Sequence, residues 1–399
     1  MSNLTEKSPE FYPPQPNPIV IGFCQSILPL VARWIYKMKV EIDEKELQKL
    51  IALENERMVF LPNHVMLPDW ITIGFISLKI KGVFYYLAAY ESFKGIVGKF
   101  LQSLGVYSVK RGMADRTSIA YTLELLRQPQ ARLVIFPEGG CSYQNDTVMP
   151  FRPGAIQLPF QAMKKMTKDE DLPSFYLVPI SIKYKYTGEM SSVIDRTLSN
   201  LEAKLNINKK SDDNYQRLRD ISERVLLNLE SEYKIDNKEV TGKEWNERID
   251  LLKNHALENC EQQLDITPPN NSPIRERVYK IQYTLNSRAE SELPDRGYWT
   301  YRSIYKTTVR LLNFNAIYDG YVAEEPTPER FMDTLTRLER EVFETDQPSP
   351  KAPRKAYIRI GDPIDLKDYF EAYKQNKVTT IENLREQVQQ IVKQNLHLT

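Results

Sequence analysis

The first half of the chain alternates short, almost wholly apolar runs with stripes of helical period. Met58 to Leu61, Val83 to Ala89, Val106 to Val109, Leu133 to Phe136 and Phe175 to Ile182 have the pattern of strands covered on both faces. Between them the period lengthens. Ser92 is placed to cap a helix presenting Phe93, Val97, Phe100, Leu101 and Leu104, and Asp115 or Thr117 opens another that runs through Leu125 toward Pro129. Strand and helix in alternation predict an α/β layer fold, and open α/β sheets bind ligands at strand ends and the loops that follow.

After Tyr186 the pattern becomes helical. Stripes recur at Leu218, Ile221, Val225 and Leu229, at Val278, Ile281 and Leu285, and at Phe331, Leu335, Leu338 and Val342. The last opens with Thr327 as cap and Pro328 at the first helical position. Pro268 to Pro273 and Asp346 to Pro350 punctuate this part as loops. A strand signal returns at Tyr357 to Ile364. It is followed by a helix in which Thr379 and Glu382 read as a capping box and Leu384, Val388 and Ile391 as the apolar stripe. Four segments result: an N-terminal helical segment over 1–45, an α/β core over 46–187, a helical insertion over 188–354, and a closing strand and helix over 355–399.

Near the N-terminus the run Ile19 to Tyr36 is apolar but interrupted by Gln25, Ser26, Pro29 and Arg33. It falls short of the roughly 20 clean apolar residues of a spanning helix. No basic region and small-residue cleavage site frame it as a secretory signal. Trp34 and Tyr36 beside Arg33, Lys37 and Lys39 suit a helix lying in a membrane interface; a kinked helix packed on the protein's own core fits the periodicity equally.

Composition narrows the class. A chain of 399 residues, 41% hydrophobic and 27% charged, supports a large core in two or three units. The formal net charge of +1 argues against a protein that coats nucleic acid. Three widely separated cysteines, Cys24, Cys141 and Cys260, suggest neither a disulfide framework nor a zinc site, and fit a reducing compartment.

The chemistry begins at Asn63-His64-Val65-Met66-Leu67-Pro68-Asp69, which sets one of three histidines five residues before a carboxylate. A neutral imidazole takes a proton from an alcohol, and a carboxylate on its other nitrogen fixes the tautomer and stabilises the cation. Pro68 biases Leu67 away from helical angles, so His64 falls in a bend before the helix containing Ile71 to Ile80. By itself such a pair is common. Three further blocks follow in order: Gly105-Val106-Tyr107-Ser108-Val109-Lys110-Arg111, Phe136-Pro137-Glu138-Gly139-Gly140 and Val178-Pro179-Ile180-Ser181-Ile182.

The four blocks together resemble the glycerolipid acyltransferase family typified by bacterial 1-acylglycerol-3-phosphate acyltransferase (PlsC), over roughly residues 55 to 187 and the closing strand and helix. The resemblance implies a mixed sheet flanked by helices, with His64 as general base and Asp69 as its orienting partner. It further implies that Arg111 and Glu138 hold a glycerol-phosphate acceptor and that Gly139 lets the backbone approach it. Where the family continues its third block with Thr-Arg-Ser, this chain has Gly140-Cys141-Ser142. A hydroxyl and a guanidinium are thereby missing beside the acceptor. Lys110 and Arg152 are candidates to replace them, or are ordinary surface cations.

The expected protein is a membrane-associated acyltransferase moving a fatty acyl group from acyl-CoA or acyl carrier protein to lysophosphatidate or a related glycerolipid. It needs no cofactor or metal, and it works at the cytoplasmic face of a membrane as a peripheral or monotopic enzyme. Backbone donors near the start of the helix after His64 are expected to stabilise the oxyanion. The rival readings are an acceptor alcohol without phosphate and a catalytically silent lipid-binding scaffold. Cys141 reads as a small pocket residue, His255 and His397 as structural, and the Tyr298-Trp299-Tyr301-Tyr305 cluster as core or as a lipid contact.

Overall fold

The computed structural model describes residues 9–167, 172–269, 272–288 and 300–398, and the chain divides into two compact units. The first holds residues up to 141, 148–183 and 356 onward; the second holds 142–147 and 184–355. In chain order the first unit begins with α1 (Pro18–Trp34), β1 (Met38–Ile42), α2 (Glu44–Ile51), β2 (Arg57–Pro62), α3 (Asp69–Ile80) and β3 (Tyr85–Ala89). It continues through α4 (Gly95–Ser103), β4 (Val106–Val109), α5 (Arg116–Arg127), β5 (Arg132–Val134), α6 (Gly154–Met166) and β6 (Phe175–Tyr186). Eight helices follow: α7 (Ser191–Leu205), α8 (Asn214–Glu232), α9 (Asn237–Val240), α10 (Trp245–Gln263), α11 (Ile274–Ser287), α12 (Tyr301–Asn313), α13 (Tyr321–Glu324) and α14 (Pro328–Val342). The chain closes with β7 (Arg354–Ile360), β8 (Ile364–Asp365), α15 (Phe370–Gln375) and α16 (Lys377–His397).

Among the described residues eight strands form one sheet in the order β1-β7-β6-β2-β5-β3-β4, with β8 beside β6. It is a mixed sheet. β2 runs parallel to β5 and β6, and β3 parallel to β4 and β5, while β8 is antiparallel to β6. Every residue of β2 after Arg57 is buried, as a central parallel strand covered on both faces requires. Val59, Leu61, Leu133, Phe175 and Leu177 build one layer of the core with Phe160 and Met163 of α6 and Leu384, Val388 and Val392 of α16.

Parallel strands deliver their C-terminal ends to one edge of a sheet. Asn63 and His64 leave β2 there, Ile135 to Gly139 leave β5, Tyr90 and Glu91 leave β3, and Lys110 and Arg111 leave β4. The first three sequence blocks therefore share an edge spanning the neighbouring strands β2, β5, β3 and β4, while the fourth, Val178 to Ile182, lies within β6. β2 and β4 lie three spacings apart, about 14 Å.

Some expected elements differ. Ser92 does not cap α4: Tyr90–Ser92 forms a short 3-10 turn and Lys94 occupies the cap position. The expected stripe of α4 turns outward at Val97 and Phe100, and the buried positions are Gly98 and Gln102. Thr379 lies inside α16, whose cap is Asn376, because the Asn376 side chain already accepts the Thr379 N–H at 3.1 Å. Leu384 and Val388 are buried as expected. β1 went unread because it is short and alternates Lys39 and Glu41 with apolar residues, as an edge strand does. On the opposite side of the sheet, Tyr12 covers β4 through reciprocal bonds with Ser108, from Tyr12 N–H to Oγ at 2.9 Å and from Ser108 N–H to Tyr12 O at 3.1 Å.

The second unit is helical with its own core, to which the predicted stripes of α8, α11 and α14 contribute Ile221, Val225, Val278, Leu285, Leu335 and Leu338. Thr327 caps α14, with Pro328 at its first position. Buried arginines are matched with acceptors, Arg217 with Glu202 and Asp195, and Arg310 with Glu232 and Glu341. The short stretch 142–147 joins this unit through Asn145, whose N–H donates to Asp333 at 2.7 Å and whose amide donates to Tyr184 O at 2.7 Å. Arg337 donates to the Ser142 carbonyl. Tyr301 and Tyr305 stack along α12, whereas Tyr298 and Trp299, like Asn270 and Asn271 of the proline-rich loop, lie outside the described residues.

Candidate active site

Asn63 ends β2 by extending its ladder with a side chain. Its amide donates to Ile182 O at 3.0 Å and its carbonyl accepts the Ile182 N–H at 2.7 Å, so the backbone entering His64 is pinned to β6. Asn63 is fully buried. Its role was not read from the sequence, although its place at the head of the first block was the available signal. The turn that follows is held by Asp69, the first residue of α3. One carboxylate oxygen accepts His64 Nδ1–H at 2.9 Å and the Met66 N–H at 3.0 Å. The five-residue spacing closes into a contact because the bend at Pro68 starts α3 at Asp69.

His64 keeps 16% of its side chain exposed, whereas Asp69 is wholly buried. A reactive imidazole held by an inaccessible carboxylate matches the requirement for a positioned base. Phe136 packs on the ring with centroids 4.3 Å apart.

Glu138 is 2% exposed. Oε1 accepts the His64 N–H at 2.7 Å and Oε2 the Met149 N–H at 3.0 Å. Both oxygens thus brace backbone, tying the loop after β5 to the loop after β2. Gly139 adopts φ +73°, which calls for glycine, and a Cβ there would stand 2.6 Å from Arg152 Nε and displace that side chain. Arg152 is half-buried against it, and its N–H donates to Pro137 O at 2.8 Å.

Lys110 and Arg111 are half-buried at the end of β4. The Lys110 ammonium lies 5.2 Å from the Tyr90 ring centre, and Arg111 stands 3.7 Å from Glu91, a looser approach than a bidentate pair. Asp115 caps α5 through Ser118 N–H at 3.1 Å and fixes the Lys110 N–H at 2.8 Å.

Of the amides near the start of α3, those of Met66, Asp69 and Ile71 are engaged with Asp69 Oδ2, Met66 O and Pro68 O. The sulfur of Cys141, read from the sequence as a small pocket residue, lies 3.5 Å from His64 Nε2. Burial pulls the imidazole pKa down, but the electrostatic influence of Cys141 and the hydrogen bonds made with Asp69 and Cys141 outweigh it and leave His64 well above its ordinary value. Among the described residues, no three His, Cys, Asp or Glu side chains gather as a metal site.

Ile19, Phe23, Leu30 and Trp34 face outward from α1, as do Ile96, Val97 and Phe100 from α4, while Leu67 and Trp70 are exposed beside the His64 turn. α1 and α4 are joined through the residues before α1: Gln15 N–H donates to Gln102 O at 2.8 Å and Asn17 N–H to Ser103 O at 2.9 Å. The inner face of α1 packs on α3, where Leu28 covers Gly74 and Gln25 donates to Ser77. No helix among the described residues is long and apolar enough to cross a membrane.

A mixed sheet flanked by helices, with a histidine–carboxylate pair at the C-terminal edge of its parallel strands, defines an acyltransferase-type α/β domain. Residues 39–183 match the model of the Acyltransferase family, and the chain therefore carries an acyltransferase domain of the PlsC, or 1-acylglycerol-3-phosphate acyltransferase, type. Acyl transfer is the activity this domain supports. No curated protein matches the chain.

Proposed function

We propose that the protein transfers a fatty acyl group from an acyl-CoA or acyl carrier protein thioester to a hydroxyl of lysophosphatidate or a closely related lysolipid, giving phosphatidate or its analogue. The observation that carries this reading is the His64–Asp69 pair, partly open on the imidazole side and closed on the carboxylate side, within the matched domain. His64 takes the acceptor's hydroxyl proton as the oxygen attacks the acyl carbonyl, and Asp69 holds the ring and stabilises its cation. Asn63 and Glu138 fix the backbone on which the ring is mounted.

Three cations at the same edge of the sheet favour a phosphorylated acceptor over a neutral alcohol. Arg111 is only loosely engaged with Glu91, and Lys110 and Arg152 are half-buried beside the blocks. The outward apolar residues of α1 and α4 support work at a membrane surface as a peripheral or monotopic enzyme, on the cytoplasmic face where CoA and acyl carrier protein thioesters are found.

The test is transfer of labelled acyl groups from both donors to a panel of lysolipids and neutral alcohols. His64→Ala, folded by its melting curve, is expected to be inactive. Arg111→Ala should weaken use of lysophosphatidate by about 1.5–3 kcal/mol while sparing a neutral acceptor. Turnover by the histidine variant would refute the base, and equal losses on both acceptors would refute the phosphate site.

A further inference from the structure

Asp69 Oδ2 and Cys141 Sγ both meet the His64 ring, Asp69 2.9 Å from Nδ1 and the sulfur 3.5 Å from Nε2 and 3.8 Å from Nδ1. Carboxylate, imidazole and thiol in this order are the parts of a covalent acyl-transfer site, in which the imidazole serves the nucleophile and the carboxylate orients the imidazole. The other cysteines lack such company. Cys260 is buried, and burial pushes its thiol up to about 12; Cys24 lies on α1, its thiol also raised by burial. Cys141 is half-buried, on the same loop as Glu138 and Gly139.

A second consideration concerns the proton. The contacts with Cys141 and Asp69 raise the His64 pKa above its ordinary value, which suits a ring that takes the proton of the Cys141 thiol. The thiolate formed by that transfer is suited to attack on a thioester. Once the sulfur is acylated its charge is gone, and the imidazole is free to act as base.

We propose that Cys141 is a catalytic nucleophile that carries the acyl group as a thioester between donor and acceptor, a step that rests on the acyltransferase reading above. His64 takes the Cys141 proton, and the thiolate attacks the donor carbonyl. The donor carbon–sulfur bond breaks, and the departing thiolate receives that proton from His64. The neutral His64 then takes the proton of the acceptor hydroxyl, whose oxygen attacks the acyl-Cys141 carbonyl. The carbon–Sγ bond breaks, and the departing Cys141 thiolate receives that proton from His64, which restores the thiol and the neutral imidazole. The first step exchanges one thioester for another at little free-energy change, and the second, thioester to oxygen ester, runs downhill. The sulfur is nearer Nε2 than Nδ1, and Nε2 is the nitrogen opposite the one that Asp69 holds.

The experiment mixes the full chain with palmitoyl-CoA, and separately with palmitoyl carrier protein, without acceptor, and weighs the acid-quenched protein. One palmitoyl adduct is expected, mapped to Cys141, released by neutral hydroxylamine and consumed when lysophosphatidate is added. Initial rates against both substrates should give parallel double-reciprocal lines. Cys141→Ala, with an unchanged melting curve, should lose the adduct and roughly 100-fold or more of turnover. In that variant the His64 pKa, followed by NMR, should fall. Cys141→Ser, which keeps the shape, should be similarly slow. Wild-type turnover without an adduct, or near wild-type turnover by either variant, overturns the proposal while leaving the acyltransferase reading intact. No transfer by wild type from either donor overturns both.

Discussion

Replacing Glu138 separates two roles for the third sequence block. If this carboxylate binds the acceptor, its loss raises the acceptor KM and leaves stability alone. The structure instead gives both oxygens to backbone, at 2.7 Å from His64 N and 3.0 Å from Met149 N, in a site 2% exposed. Glu138→Gln keeps one acceptor oxygen but turns an NH2 group toward the other N–H. One charge-assisted bond is lost and one buried amide is orphaned, at a cost of about 3 kcal/mol. For a unit of roughly 200 residues, where 1 kcal/mol moves Tm by about 2–4 °C, that is a fall of about 6–12 °C. Because either loss loosens the brace on the His64 backbone, kcat should drop as well, on the order of 100-fold for a displacement near 1 Å. Calorimetry with steady-state kinetics on varied acceptor checks both. An unchanged Tm with a raised acceptor KM and intact kcat would refute the bracing role and return Glu138 to the acceptor.

Asp69→Asn should cost on the order of 10²–10⁴ in kcat, because the neutral amide no longer stabilises the His64 cation or fixes its tautomer; a mild effect would mean the ring is oriented by other groups. Burial raises Asp333 to about 7 against the donors Asn145 N–H and Tyr321 OH and the charge of Arg337. The folded state thus holds this proton more tightly than the unfolded chain, where an aspartate titrates at about 3.9. Stability should therefore decline as pH rises from about 4 to 7, and Asp333→Asn should flatten that decline in denaturant titrations across the window. Phe100→Asp with Trp34→Asp should weaken binding to anionic liposomes by about tenfold or more per site, each large side chain contributing about 1.5–3 kcal/mol when buried. Undiminished flotation would move the contact surface away from α1 and α4.

The sequence by itself determined what depends on local spacing. Apolar runs marked β2 through β6, Thr327 and Pro328 marked the start of α14, and the four blocks marked an acyltransferase domain. Their ordering along parallel strands also implied a common edge for the candidate residues. Tertiary structure decided everything that depends on which side of an element meets a neighbour. Periodicity finds the apolar face of α4 but not whether protein covers it, and Phe100 and Val97 face outward because Gly98 and Gln102 take the inner side. A carboxylate in a block names its chemistry but not its partner, so Glu138 showed its two backbone donors only when the loops after β2 and β5 came together. Cys141 stands 77 residues from His64 in the chain, and only the pairing of β2 with β5 brings its sulfur against the imidazole. The stretch 142–147, contiguous with the third block, joins the helical unit because its polar groups find their partners there, at Asp333, Tyr184 and Arg337.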